Sequence, residues 1–125
     1  MSDQFVSSQS TLVCAQEWHD TTVVINCSGV VDMLTTPDLE RLVATALEKQ
    51  PTAVIVNLTD TSMFASCGMS LLVETHERLP EDVPLVVVAD GPVTRRPLEL
   101  VGLAAFLTIR PTLDAAFEEL SASAV

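Results

Sequence analysis

Hydroxyl groups crowd one segment of this chain. Thr59, Thr61, Ser62, Ser66 and Ser70 follow the apolar run Val54-Ile55-Val56 and surround the turn into Gly68-Met69-Ser70-Leu71-Leu72. The segment reads as a buried strand, a short polar loop and the first turn of a helix. Ser66 falls where that helix begins. Its hydroxyl, or a phosphate on it, would meet backbone N–H groups that have no intrahelical acceptor. Covalent change at such a place alters surface charge without rebuilding a core. The plainer role of the same serine is an N-cap, worth roughly 0.5–2 kcal/mol. The neighbouring thiol of Cys67 admits a redox role, because helix N-termini activate thiols. Its plainer role is a small residue filling a tight corner.

Other chemistries find little support. A Ser/His/Asp set drawn from Ser66, His76 and Asp32 fails on distance, since Ser66 and His76 would stand roughly 15 Å apart along one helix at 1.5 Å per residue. The glycines Gly29, Gly68, Gly91 and Gly102 are isolated and form no phosphate-cradling loop. Cys14, Cys27 and Cys67 are an odd set without a CxxC, and His19 and His76 are far apart, so no metal site is expected. No cofactor and no enzymatic activity are expected either. Seventeen Asp and Glu face six Lys and Arg, a net charge of −11. That balance repels nucleic acid and suits either solubility or a basic protein partner. Apolar runs fall short of the roughly 20 residues that span a bilayer. The N-terminus lacks the basic and apolar regions of a signal peptide, so a cytoplasmic location is expected.

The elements that would position Ser66 follow from periodicity. Residues 1–10 are expected to be a flexible N-terminus, 11–121 the domain and 122–125 a tail. Thr11–Glu17 and Thr22–Ser28 read as a hairpin. With the turn centred on His19-Asp20, Cys14 would face Ile25 and lie diagonal to Cys27. Thr36, as N-cap, and Pro37, at the first helical position, start a helix whose Leu39, Leu42, Val43, Ala46 and Leu47 face the core. Ala53–Leu58 is a strand interrupted by Asn57. A helix from Cys67 to about Leu79, a strand Pro84–Ala89, a short helix from Thr94, a strand Phe106–Arg110 and a helix capped by Thr112 complete the chain. The expected class is α/β, a single domain with a mixed four- to five-stranded sheet, an N-terminal antiparallel hairpin and about four helices.

In this order the motifs resemble the STAS domain family, and within it the bacterial anti-sigma factor antagonists (anti-anti-sigma factors). Gly29-Val30-Val31-Asp32 is similar to the family's G-x-[LVI]-D. Leu34-Thr35-Thr36-Pro37-Asp38-Leu39 resembles its helix start. Asn57-Leu58-Thr59 through Phe64-Ala65-Ser66-Cys67-Gly68 resembles D-L-S … [FI]-[LIM]-D-S-[ST]-G, and Leu98-Glu99-Leu100-Val101-Gly102-Leu103 resembles L-x-L-x-G-L. The resemblance implies that Ser66 is the phosphoacceptor, with Thr59 a secondary candidate. It implies a partner, an anti-sigma factor of the serine-kinase, histidine-kinase-like ATPase type. That partner would bind around Asp32, Thr59, Met63, Ala65, Ser66, Cys67, Gly68 and Met69. The free protein would be a monomer. Asn57 and Ala65 stand where the family has aspartates, and both remove negative charge beside the switch. The alternative implied is a ligand-sensing or scaffold module of a stress-signalling assembly, redox-tuned at Cys67.

Overall fold

A two-residue turn sets the register of the sheet. The computed structural model describes residues 4–6 and 12–123. Strands β2 (Leu12–His19) and β3 (Thr22–Val31) are joined through Asp20 and Thr21, with Asp20 in the left-handed region at φ 56°. His19 therefore pairs with Thr22, and Cys14 stands directly opposite Cys27 rather than opposite Ile25. The diagonal placement expected from a turn at His19-Asp20 is corrected: the turn lies one residue further on, opened by Asp20 rather than His19, and this moves the partner of Cys14 by two residues. Both side chains are thiols in the core. Burial pushes the Cys14 thiol up to about 11, and it raises Cys27 further. A thiol held protonated is a small hydrophobe, not a nucleophile.

Among the described residues the sheet has six strands in the order of the chain. The extra strand is β1 (Gln4–Val6), antiparallel to β2, where a flexible terminus was expected; the rest of residues 1–10 lies outside the described residues. From β3 onward, β4 (Ala53–Phe64), β5 (Leu85–Val88) and β6 (Thr108–Arg110) are parallel. Helices α1 (Thr36–Glu48), α2 (Ser66–Arg78) and α3 (Arg95–Leu100) are the successive crossovers. Each step advances one strand in the same direction with the same hand, so all three lie on one face. They bury Leu39, Leu42, Val43, Leu71, Leu72 and Leu98 against Val23, Ile25, Val54, Val56 and Leu58. Helix α4 (Leu113–Ser123) follows the last strand and covers the other face, setting Ala116, Leu113, Phe117 and Leu120 against Val24, Ile55, Val86 and Val88. Thr112 caps it, its hydroxyl accepting the Ala115 N–H at 3.0 Å.

The polar stretch before Ser66 is strand, not loop. β4 keeps pairing with β3 as far as Val31 opposite Phe64. It does so through two irregularities, between Asn26 and Ser28 and between Gly29 and Val30, where β4 carries one residue more than β3. Leu58, Thr61 and Phe64 are therefore buried while Thr59, Asp60, Ser62 and Met63 are exposed. The period of two is broken, which is why this part of the sequence reads as a loop. The bulges end β4 with Phe64 in the core and Ser66 outside it.

Candidate functional site

The turn from β3 into α1 is built by short polar side chains. Asp32 Oδ1 accepts the N–H groups of Leu34 at 2.9 Å and Thr35 at 3.0 Å. Thr35 Oγ1 accepts the Asp32 N–H at 2.9 Å and donates to the Val30 carbonyl at 2.8 Å. Thr35, not Thr36, is the N-cap, and Pro37 falls at the second helical position. Asp32 is thus a structural residue of this turn as well as a half-exposed carboxylate at its rim. By organising the loop it holds Met33 and Leu34 outward, 79% and 66% exposed.

Helix α2 begins beside that turn. Ala65 is its N-cap in an extended conformation and Ser66 its first residue, and no side chain makes a capping bond. The expected N-cap role of Ser66 is therefore not the one it plays. Its side chain is exposed. The Ala65 N–H donates to the Val31 carbonyl at 2.9 Å, pinning the helix start to β3. Gly68 explains how close the helix lies. A Cβ there would stand 2.7 Å from Phe64 Cε1 and 2.8 Å from Val31 Cγ1, nearer than side-chain carbons tolerate. Cys67 is half-buried, and its Sγ lies 3.2 Å from Thr36 Oγ1. The Thr36 hydroxyl donates to the Asp32 carbonyl at 2.5 Å, so the thiol is the donor in the Cys67 contact. The pair ties the starts of α1 and α2 together.

Thr59 stands elsewhere. Asn57 alternates with Val56 and Leu58, so it points to the face that carries α4. The Thr59 hydroxyl and N–H both donate to Asn57 Oδ1, at 2.6 and 3.2 Å. Asn57 Nδ2 donates to Asn26 Oδ1 at 2.9 Å, and Asn26 Nδ2 donates to Glu17 Oε1 at 3.1 Å. An amide ladder therefore crosses three strands. An aspartate at 57 has no N–H to give Asn26, so asparagine here belongs to the ladder.

The structure gathers Asp32, Met63, Ala65, Ser66, Cys67 and Gly68 at one end of the sheet, where the parallel strands finish. Met63 is 50% exposed; Met69 is half-buried against the core, and Gly68 is buried. Thr59 is exposed but turned to the other face. Two features escaped sequence reasoning. Met33 and Leu34 sit in a turn where polar residues are the rule, and that anomaly was the available signal. A groove of about 480 Å³ runs beside Ser66, lined by Met69, Ser70, Val73, Glu74, Val101 and Leu103. It joins residues far apart in sequence and had no local signature. His76 is exposed and packs edge-on against Phe106, 4.8 Å between centroids. Among the described residues no three His, Cys, Asp or Glu side chains group to hold a metal, and no helix is long and apolar enough to cross a membrane.

Fold and site together define an α/β module with an exposed serine on the rim of a partly apolar end. Comparison with known proteins gives it a family. The STAS domain model matches residues 14–116, and the chain belongs to the STAS domain family. It is 34% identical over 85 residues to the anti-sigma-F factor antagonist RsfB of Mycobacterium tuberculosis, covering 68% of this chain and 70% of that protein. The crystal structure of an anti-sigma factor antagonist from Mycobacterium paratuberculosis superposes with a TM-score of 0.86 at 34% identity, over 91% of this chain and 97% of that one. The Bacillus cell fate determinant SpoIIAA in its phosphorylated form shares the fold, with a TM-score of 0.65 at 21% identity, over 86% and 98%.

Proposed function

We propose that this protein is an anti-sigma factor antagonist, a non-catalytic cytoplasmic regulator. The end of the fold around Ser66 binds an anti-sigma factor of the serine-kinase type, and that binding releases a sigma factor. The kinase transfers the γ-phosphoryl group of ATP to Ser66 Oγ, and the modified protein lets go. The observation that carries the reading is the place of Ser66. It is exposed, first in its helix and without a capping bond, in a chain 34% identical to RsfB.

The physics follows from charge. Phosphorylation adds about −1.5 to −2 charges at pH 7. In the free protein the N-terminus of α2 favours that charge by about 0.3–1 kcal/mol. In a tight interface the charge must lose its water, and a loss of ~2.8 kcal/mol weakens binding about a hundredfold. The fold need not change. Neutral Ala65 leaves the site less acidic than the family pattern, which eases phosphate addition and shifts recognition by the kinase onto other contacts; Asn57, in the ladder on the face of α4, is not part of that site. The ligand-sensing alternative draws less support, since Cys67 is half-buried and engaged with Thr36.

The test is a kinase assay with each serine-kinase-type anti-sigma factor of the source organism, purified, and labelled ATP. Wild type and Thr59→Ala are expected to be labelled and Ser66→Ala is not. Labelling of Ser66→Ala at the wild-type level would remove Ser66 from the mechanism.

A further inference from the structure

Three large apolar side chains are exposed at the end of the sheet that carries Ser66: Met33, Leu34 and Met63, at 79%, 66% and 50%. The backbone places them together. Val30 pairs with Met63 and Val31 with Phe64, and Met33 and Leu34 follow within three residues of Val31. The loop that carries them is held by the bonds of Asp32 and Thr35. Three large apolar groups, two held outward by an ordered turn and one by the end of β4, are a cost to a free chain and an asset to an interface. The surroundings are acidic: Asp32 lies at the turn and exposed Asp60 on β4. An apolar partner surface with a cationic rim complements this end.

We propose that Met33 and Met63, with Leu34, anchor the anti-sigma factor, and that their thioethers are a second modification site that releases it. This rests on the reading of Ser66 given above. The reagent class is a peroxide. A sulfur lone pair attacks one peroxide oxygen, the O–O bond breaks, an S=O bond forms and water leaves. Sulfur is oxidised by two electrons and the peroxide is reduced. The product is polar and chiral where the interface needs an apolar, adaptable side chain. A methionine sulfoxide reductase with a dithiol reverses it, two thiols giving a disulfide and water. Oxidation then acts beside phosphorylation without needing Ser66. Met69, half-buried against the core, is shielded by comparison.

The full-length protein is treated with hydrogen peroxide, and sulfoxide is mapped by peptide mass spectrometry. Met33 and Met63 are expected to oxidise ahead of Met69; equal rates for all three overturn the proposal. Binding to the purified serine-kinase-type anti-sigma factors is then measured before and after oxidation. Sulfoxide at both positions is expected to lower affinity about tenfold or more, the reach of losing one anchoring side chain. Met33→Leu/Met63→Leu keeps the apolar surface and cannot form sulfoxide there. Measured against its own untreated affinity, whatever that is, its binding is expected not to change on peroxide treatment. If the double variant loses affinity on oxidation as wild type does, the sensitive group is elsewhere, Cys67 first, and the proposal fails. If oxidised wild type binds unchanged, it also fails. If unoxidised wild type binds none of the anti-sigma factors, the reading of Ser66 falls and takes this inference with it.

Discussion

Ser66 and Thr59 are exposed hydroxyls seven residues apart, and the fold treats them differently. Thr59 lies on β4, its hydroxyl donated to Asn57 and through it joined to Asn26 and Glu17. Esterifying that oxygen removes its proton and breaks the first rung. Ser66 opens α2, makes no capping bond, and has the N-terminal N–H groups of its helix beside it. A phosphate there costs no existing bond and gains a favourable field. Exposure alone does not make a hydroxyl a switch. What matters is whether its proton is already committed to holding the structure together.

The sharpest way to break this contrast is at the two hydroxyls themselves. Ser66→Asp places a charge on the docking rim and is expected to weaken the anti-sigma factor complex by up to about a hundredfold, read by calorimetry or surface binding. Thr59→Asp is expected to leave affinity much closer to wild type while lowering thermal stability. Equal losses of affinity would mean that one surface includes both faces of the sheet.

Next in size is Gly68→Ala. The added methyl has no room against Phe64 and Val31. Overpacking of this kind costs about 1–3 kcal/mol, and each kcal/mol lowers the melting temperature by roughly 2–8 °C in domains of this range of sizes. Because the clash lies one turn inside α2, Ser66 should also be labelled more slowly. A stable variant labelled at the wild-type rate would show that the close approach of α2 does not position the serine.

Asn57→Ala should cost about 1 kcal/mol, the net worth of a typical hydrogen bond, seen as a lower urea midpoint. Labelling of Ser66 should not change. A kinase defect in this variant would couple the ladder to the switch and weaken the distinction between the two regions. An effect of similar size is expected at Thr36→Val, which removes the contact with Cys67 and the bond to the Asp32 carbonyl. It should destabilise by about 0.5–1.5 kcal/mol. It should also raise the alkylation rate of Cys67, measured by mass spectrometry against the unfolded chain. An unchanged rate would mean that burial alone protects the thiol.

Local signals carried much of this molecule. Thr35-Thr36-Pro37-Asp38 announces α1, and Leu39, Leu42, Val43 and Ala46 mark its inner face, because helix period and caps are properties of neighbouring residues. The same holds for α4 after Thr112 and for the parallel strands Ala53 onward. Ser66 was legible as the start of a helix for that reason, although its exact position was one residue beyond the cap. The register of β2 on β3 was not, since it depends on whether the chain turns at His19-Asp20 or Asp20-Thr21, and that choice moved Cys14 to face Cys27.

The sequence by itself determined the alternation of elements, the acidic surface, and a serine at the opening of a helix. Tertiary structure alone decided what surrounds that serine. β4 follows β3 through two bulges, and this carries a polar run to the sheet's end as strand. The same pairing turns Thr59 to one face and brings Met33, Leu34 and Met63 to the rim beside Ser66. These outcomes come from pairing between segments some thirty residues apart. Local propensity cannot count residues across that gap, and one extra residue in a strand reverses the direction of every side chain that follows.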